Sequence, residues 1–277
     1  MIVLPPDVRE WLDSVGVMLD GAVIDEVDAT TARMIAIDDR MLRWYVDPRI
    51  LEDEPDAIPR EVAALETLAG TQVPAPRLLA WSQGAPPAVL MSRLPGEPRL
   101  GLPDPGSVRV LLEEIHAVAP GPLSAWAYRG YHDGRVLRRP AWWRDHRTWE
   151  RAVIQTDTAR PHAPGVLIHR DFHPGNILWS DDRISGVVDW SNACVGPAAF
   201  DAAHFRVNLA TLHDAETADR VLPGDPAWDV EAALGVLDWG DDEAALDAWV
   251  GPAPHVPPAV GRARLERFVA RALAALR

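Results

Sequence analysis

His169-Arg170-Asp171-Phe172-His173-Pro174-Gly175-Asn176 is the stretch on which the reading of this chain turns, and Gly186-Val187-Val188-Asp189-Trp190 follows it. Between them, Ile177-Leu178-Trp179 and Ile184 to Val188 are short apolar runs separated by Ser180-Asp181-Asp182-Arg183. That is the pattern of two strands joined by a turn. Asn176 and Asp189 then stand at the two ends of a hairpin, as a pair of hard oxygen donors for one cation. Mg²⁺ takes such ligands and usually shares them with phosphates. Asp171, on the loop before the hairpin, is a carboxylate suited to accept a proton from a substrate hydroxyl. Phosphoryl transfer asks a protein for positioning and charge neutralisation more than for covalent help.

Working outward, Val166-Leu167-Ile168 reads as a strand leading into this loop. The rest of the C-terminal half is helical in pattern. Asp104 caps a helix with Pro105 at its first position, and Val108, Leu111, Leu112, Ile115 and Ala119 form its apolar stripe. Leu265, Phe268, Val269, Ala272, Leu273 and Leu276 give a last helix. The N-terminal part reads differently. Ala22-Val23-Ile24, Arg33 to Ile37 and Met41 to Val46 are expected strands, with Arg43 on the face of Met41 and Tyr45. A helix with Pro59 in its first turn carries Val62, Leu65 and Leu68 and closes at Gly70. After Val73-Pro74-Ala75-Pro76 comes a strand at Ala88 to Met91, and then the breaker cluster Pro95-Gly96-Glu97-Pro98. The expected organisation is a strand-rich lobe over residues 1–92, a hinge at 93–97 and a helical lobe over 98–277.

Composition removes whole classes of chemistry. The chain has 277 residues, 27 Lys+Arg, 41 Asp+Glu and a net charge of −14, and every basic residue is Arg. A Walker A loop, a pyridoxal Schiff base and a Ser-x-x-Lys nucleophile each need a Lys, so none is available. The single cysteine, Cys194, excludes an intramolecular disulfide and a Cys-based zinc finger. The acidic balance argues against nucleic acid as a partner and suits a cationic small molecule. No run approaches the ~18 apolar residues of a membrane span, and the first residues lack a signal-peptide pattern, so a cytoplasmic protein is expected.

The two motifs, continuing through Gly196-Pro197-Ala198-Ala199-Phe200-Asp201, resemble the aminoglycoside phosphotransferase and choline kinase family, which has a protein-kinase-like fold. The resemblance implies an α+β, two-lobed kinase-like chain that moves the γ-phosphoryl group of ATP, or of GTP, to a hydroxyl of a small molecule, an aminoglycoside or amino alcohol among the candidates. It implies Asp171 as the catalytic base, and Asn176 and Asp189 as the magnesium ligands. Arg43 falls where the family places a phosphate-touching base on the third strand, and Glu61 looks like its helical ion-pair partner. Met91-Ser92-Arg93-Leu94 looks like the hinge that meets the adenine, which makes Ser92 and Leu94 nucleotide contacts. His173 is expected near the phosphates. His169 and Asp201 are expected to support the loop.

Two features depart from the family pattern. Ile24-Asp25-Glu26-Val27-Asp28-Ala29-Thr30 has three acids and no glycine where a phosphate loop is expected, and Arg stands in for Lys on the third strand. Two other readings remain at this point: a nucleotide-binding pseudokinase without turnover, and a metal-dependent hydrolase using His169, Asp171 and His173. His116 lies beside the stripe of its helix and reads as core. Trp142, Trp143 and Trp149 read as packing or as an aromatic wall for a cation. The acids between Asp214 and Asp247, with Arg220 the only base among them, read as a solvated face or as an acceptor site for a polyamine.

Overall fold

A computed structural model of the chain describes residues 3–27, 32–134, 136–158, 165–237 and 256–276. It has two lobes, strand-rich and then helical. In the first, helix α1 (Pro6–Ser14) is followed by strands β1 (Ile24–Val27), β2 (Arg33–Ile37) and β3 (Arg40–Trp44), helices α2 (Pro48–Asp53) and α3 (Ala57–Leu68), and strands β4 (Leu78–Ser82) and β5 (Ala88–Ser92). The strands form one antiparallel sheet in the order β1-β2-β3-β5-β4. Their side chains alternate between faces. Ile35, Ile37, Leu42, Trp44 and Leu90 pack with Val8 and Leu12 of α1 in a separate apolar cluster. Leu12, Ile35 and Leu42 are fully buried, each contributing about 1.5–3 kcal/mol. The opposite face carries Arg43 and Val89, paired across β3 and β5, towards α3.

The second lobe begins with β6 (Glu97–Pro98) and α4 (Pro105–Ala117). Then come α5 (His146–Thr158), β7 (Gly165–Ile168), β8 (Ile177–Ser180), β9 (Arg183–Val187) and β10 (Cys194–Pro197). The chain closes with α6 (Ala198–Leu212), α7 (Ala215–Val221), α8 (Pro226–Gly235) and α9 (Pro258–Ala275). β7 pairs with β10, and β6, β8 and β9 form a small sheet in that order. α6 is apolar around most of its circumference and buried from Phe200 to Thr211, apart from Ala202, so it is the central helix of this lobe. α7, α8 and α9 pack against it.

Local pattern and observed structure differ in places. The first strand runs Ile24–Val27, not Ala22–Ile24, because antiparallel pairing with Met34–Ile37 decides it. Val23 instead exchanges hydrogen bonds with Asp38. β1 is an edge strand, so Asp25 and Glu26 face water, and Glu26 takes Arg33 bidentately at 2.6 and 2.8 Å. α3 begins at Ala57, which places Glu61 beyond the first turn and in the buried interior. No helix among the described residues is long and apolar enough to cross a membrane.

Candidate active site

The loop 169–176 leaves β7 where that strand pairs with β10. Its backbone is held from α6. The Asp201 carboxylate, fully buried, accepts the Arg170 N–H at 2.7 Å and the His169 N–H at 3.0 Å. His116 Nε2 of α4 lies 3.0 Å from the same Oδ2, so His116 is an Asp201 partner and not the plain core residue expected. Arg170 has φ 68°, a conformation that costs free energy for a non-glycine residue and persists only where its surroundings enforce it. Here Asp201 holds its N–H, Tyr131 Oη donates to its carbonyl at 3.2 Å, and its guanidinium lies 4.2 Å over the Tyr131 ring.

Asp171 follows. His204 Nε2 lies 3.1 Å from its Oδ1, and His173 Nε2 lies 3.8 Å from the same atom. Asn176 Nδ2 donates to the Asp171 carbonyl at 2.9 Å and lies 3.4 Å from Oδ2. Burial opposes ionisation of Asp171, but the imidazoles of His173, His204 and His169 outweigh it and hold the carboxyl well below the usual carboxylate range. His173 caps the short 3-10 turn Pro174–Asn176, its Nδ1 accepting the Gly175 N–H at 3.0 Å. A Cβ on Gly175 would lie 2.7 Å from that ring, so the turn needs glycine there. Burial keeps His173 below its ordinary value despite Asp171. His173 thus sits against Asp171.

Arg43 joins the two lobes. Its NH1 donates to Asp189 Oδ1 at 2.9 Å, and its Nε faces Glu61 Oε2 at 3.4 Å. Arg43 and Glu61 are both buried. Burial works against the Arg43 charge, yet Asp189 and Glu61 hold its protonation firmly in place. Burial pushes the Glu61 carboxyl up to about 7 against the pull of Arg43. Asp189, at φ 63°, also accepts from Ser191 Oγ at 2.7 Å. Burial raises its carboxyl and Arg43 more than offsets this. Arg60, one residue before Glu61, donates to the Ser191 carbonyl. His169 Nε2 donates to the Val188 carbonyl at 2.9 Å, and the Val188 N–H donates to the Asn176 carbonyl at 2.9 Å. Asp171, Asn176, Asp189, Arg43 and Glu61 are therefore one connected set. Asn176 and Asp189 supply the oxygen atoms that a hard cation would take.

At the expected hinge, the Ser92 N–H donates to the Arg77 carbonyl and its Oγ accepts the Arg77 N–H, both at 2.9 Å. The Ser92 N–H is therefore already used within the small lobe. The Leu94 N–H makes no backbone hydrogen bond among the described residues. The Leu94 side chain lies on the β8–β9 hairpin, 2.6 Å from where a Cβ on Gly186 would be. Ser185 Oγ donates to the Pro95 carbonyl at 2.6 Å. The hinge is thus tied to β9 at Ser185 and Gly186, four and three residues before Asp189.

Other expectations resolve by placement. Trp143 and Trp149 are buried and meet edge to face at 5.3 Å, while Arg262 lies over Trp142, so these rings are packing and not a free wall. Of the acids after residue 213, Asp214 and Asp225 cap helices. Asp219 and Asp229 take Arg206, and Glu216 and Asp219 take Arg271. Asp28, Ala29, Thr30, Asp238, Asp241, Asp242, Glu243 and Asp247 lie outside the described residues. The hydrolase set does not assemble: His169 Nε2 is taken up by the Val188 carbonyl. No group of three His, Cys, Asp or Glu suited to a metal occurs among the described residues. His204 was not foreseen. Its signal is the i, i+3 spacing from Asp201, which puts both on one face of α6.

Comparison with known proteins finds relatives over most of the chain. The model of the phosphotransferase enzyme family matches residues 36–234. The viomycin phosphotransferase of Streptomyces vinaceus is 25% identical over 236 residues, 71% of this chain and 82% of that protein. Among solved structures, a thermostable aminoglycoside phosphotransferase in ternary complex with AMP-PNP and hygromycin B superposes with a TM-score of 0.63 at 17% identity, over 95% of this chain and 97% of that one. A choline/ethanolamine kinase family protein from Mesorhizobium loti gives a TM-score of 0.55 at 16% identity, over 98% and 99%.

Proposed function

The chain belongs to the phosphotransferase enzyme family, and on that premise we propose that it moves the γ-phosphoryl group of ATP, with Mg²⁺, to a hydroxyl of a small cationic acceptor, an aminoglycoside or amino alcohol, in the cytoplasm. The observation that carries the reading is the connected set from Asp171 through Asn176 and Asp189 to Arg43 and Glu61. Asp171 takes the proton of the acceptor hydroxyl as its oxygen bonds to the γ-phosphorus. The bond from that phosphorus to the bridging oxygen breaks, and ADP leaves with the electron pair.

Asn176 and Asp189 fit the cation. Both offer oxygen, and both protein donors to Asp189 fall on Oδ1, which leaves Oδ2 for a metal. Bound there, Mg²⁺ neutralises phosphate charge. Arg43, held by Glu61 from behind, presents its guanidinium beside Asp189 where the phosphates would lie. The Ser92 carbonyl and the Leu94 N–H would edge the base. His169 and Asp201 hold the loop, and His173 shapes the turn to Asn176.

The test is ADP release from Mg²⁺ and ATP against hygromycin B, streptomycin, viomycin, choline and ethanolamine. Release with at least one acceptor, lost in Asp171→Ala, supports the proposal. ATP binding without release for any acceptor would leave a nucleotide-binding module instead.

A further inference from the structure

We propose that His204 is a positioning residue for Asp171, donating its Nε2–H to Oδ1 and so reserving Oδ2 for the acceptor hydroxyl; this rests on the phosphotransfer reading above. His204 is buried on α6, one turn beyond Asp201. One rigid helix thus holds the loop twice, by the backbone of His169 and Arg170 and by the carboxylate of Asp171. Sites built on helices are held more closely than sites on loops.

The tautomer follows from the surroundings. Neither His204 Nδ1 nor Nε2 completes a hydrogen bond of ordinary geometry among the described residues, but Nε2 lies 3.1 Å from Asp171 Oδ1, within reach of one. A neutral imidazole has one N–H, and here only Nε2 has a use for it. The ring is fixed by Phe200, His173 and Tyr131 at centroid distances of 6.0, 6.2 and 6.3 Å. With no partner for Nδ1, a proton passed from Asp171 to His204 has no onward path, so the role is orientation and not relay. His173 does not duplicate it. Its Nε2, at 3.8 Å from Oδ1, is beyond hydrogen-bond reach. Asn176 Nδ2, 3.4 Å from Oδ2, restrains that oxygen only weakly. Without His204 the carboxylate can turn about its last torsion, and a displacement of about 1 Å can cost on the order of 100-fold in rate.

The experiment uses the full chain and three substitutions, His204→Gln, His204→Asn and His204→Ala. A Gln carboxamide nitrogen reaches the place of imidazole Nε2, whereas that of Asn reaches only the place of Nδ1. The expected result is a kcat lowered about 10- to 100-fold in His204→Ala and His204→Asn, with the ATP KM within about threefold, and most of the loss restored in His204→Gln. Equal kcat in the Gln and Asn variants at equal melting temperature would overturn the proposal. A second readout needs no turnover. Nitrogen-15 NMR of the histidines should place the His204 proton on Nε2 and show that resonance shifted in Asp171→Ala. A proton on Nδ1, or a resonance indifferent to Asp171→Ala, also overturns it. If wild type turns over no acceptor, the phosphotransfer reading fails alone, and the NMR result still decides whether His204 holds Asp171.

Discussion

Arg43 stands between two regions held in opposite ways. On one side is β2, where Met34 is its cross-strand partner, and beyond it β1. On the other is the loop 169–176, reached through Asp189. The polar groups of the loop meet buried or half-buried partners from other elements: Asp201, His204, and the backbone of Val188. Among the described residues, the β1–β2 pair is held by its ladder, by the hydrogen bonds between Val23 and Asp38 and by an exposed ion pair, Glu26 with Arg33, which contributes little in water. On the proposed reading the loop is the reacting end of the site, and it is held in place by the protein itself, which is where such arrangement lowers a barrier. β1, at the outer edge of the sheet, faces solvent from Asp25 to Val27.

The sharpest way to break this comparison is Asp171→Ala. Turnover should fall by on the order of 10²–10⁴, while the thermal shift on adding Mg²⁺ and ATP survives. A variant that turns over at the wild-type rate removes Asp171 from the chemistry. Next in size is Asp201→Ala, which strips a carboxylate from two buried N–H groups and His116. Stability should drop by about 3–5 kcal/mol, a midpoint lower by roughly 10 °C in thermal unfolding. A midpoint unchanged within a degree would mean that the loop holds itself.

Glu61 gives a smaller, pH-dependent effect. Its carboxyl is raised from 4.5 to about 7 by burial, so the folded chain binds that proton more tightly than the unfolded one. The resulting stability is present below about 4.5 and lost as pH rises through 7. Glu61→Gln should remove this slope. Urea unfolding from pH 4.5 to 8 should then show wild type losing on the order of 1–3 kcal/mol relative to the variant. Parallel profiles would show that the pull of Arg43 cancels the burial.

Much of the loop was legible because its chemistry is local. Asp171, Asn176 and Asp189 lie on one loop and hairpin, and the strand–turn–strand pattern between them fixes which ends meet. The link from Arg43 to Asp189 crosses the chain and was not foreseen; resemblance pointed only to Glu61 as the partner of Arg43. His204 and His116 escaped for a physical reason. Each looks like an ordinary helical histidine until α6 and α4 pack around Asp201, and that packing joins His116 to an acid with no local pattern linking them. The acids from Asp214 to Glu231 misled in the other direction. Their charge suggested a solvated face or a binding face, but Arg206 and Arg271 pair with three of them, Glu216, Asp219 and Asp229, within the helical lobe. Composition counts charges and does not say which are already paired.

The smallest effect tests the exposed side of the comparison. Strand alternation puts Asp25 and Val27 on one face of β1, and Val27 lies across from Met34, the cross-strand partner of Arg43. Glu26 points the other way, to Arg33. An exposed Asp25 on the face of Arg43 repels an incoming triphosphate through water, and the interaction is screened over about 8 Å at physiological ionic strength. Asp25→Asn should therefore lower the ATP KM by about two- to fivefold at low salt and by less at 0.5 M salt, with kcat unchanged. Glu26→Gln, on the opposite face, should leave the KM where it was. If the two variants change the KM equally, the net charge of the lobe governs affinity and the facing of β1 does not.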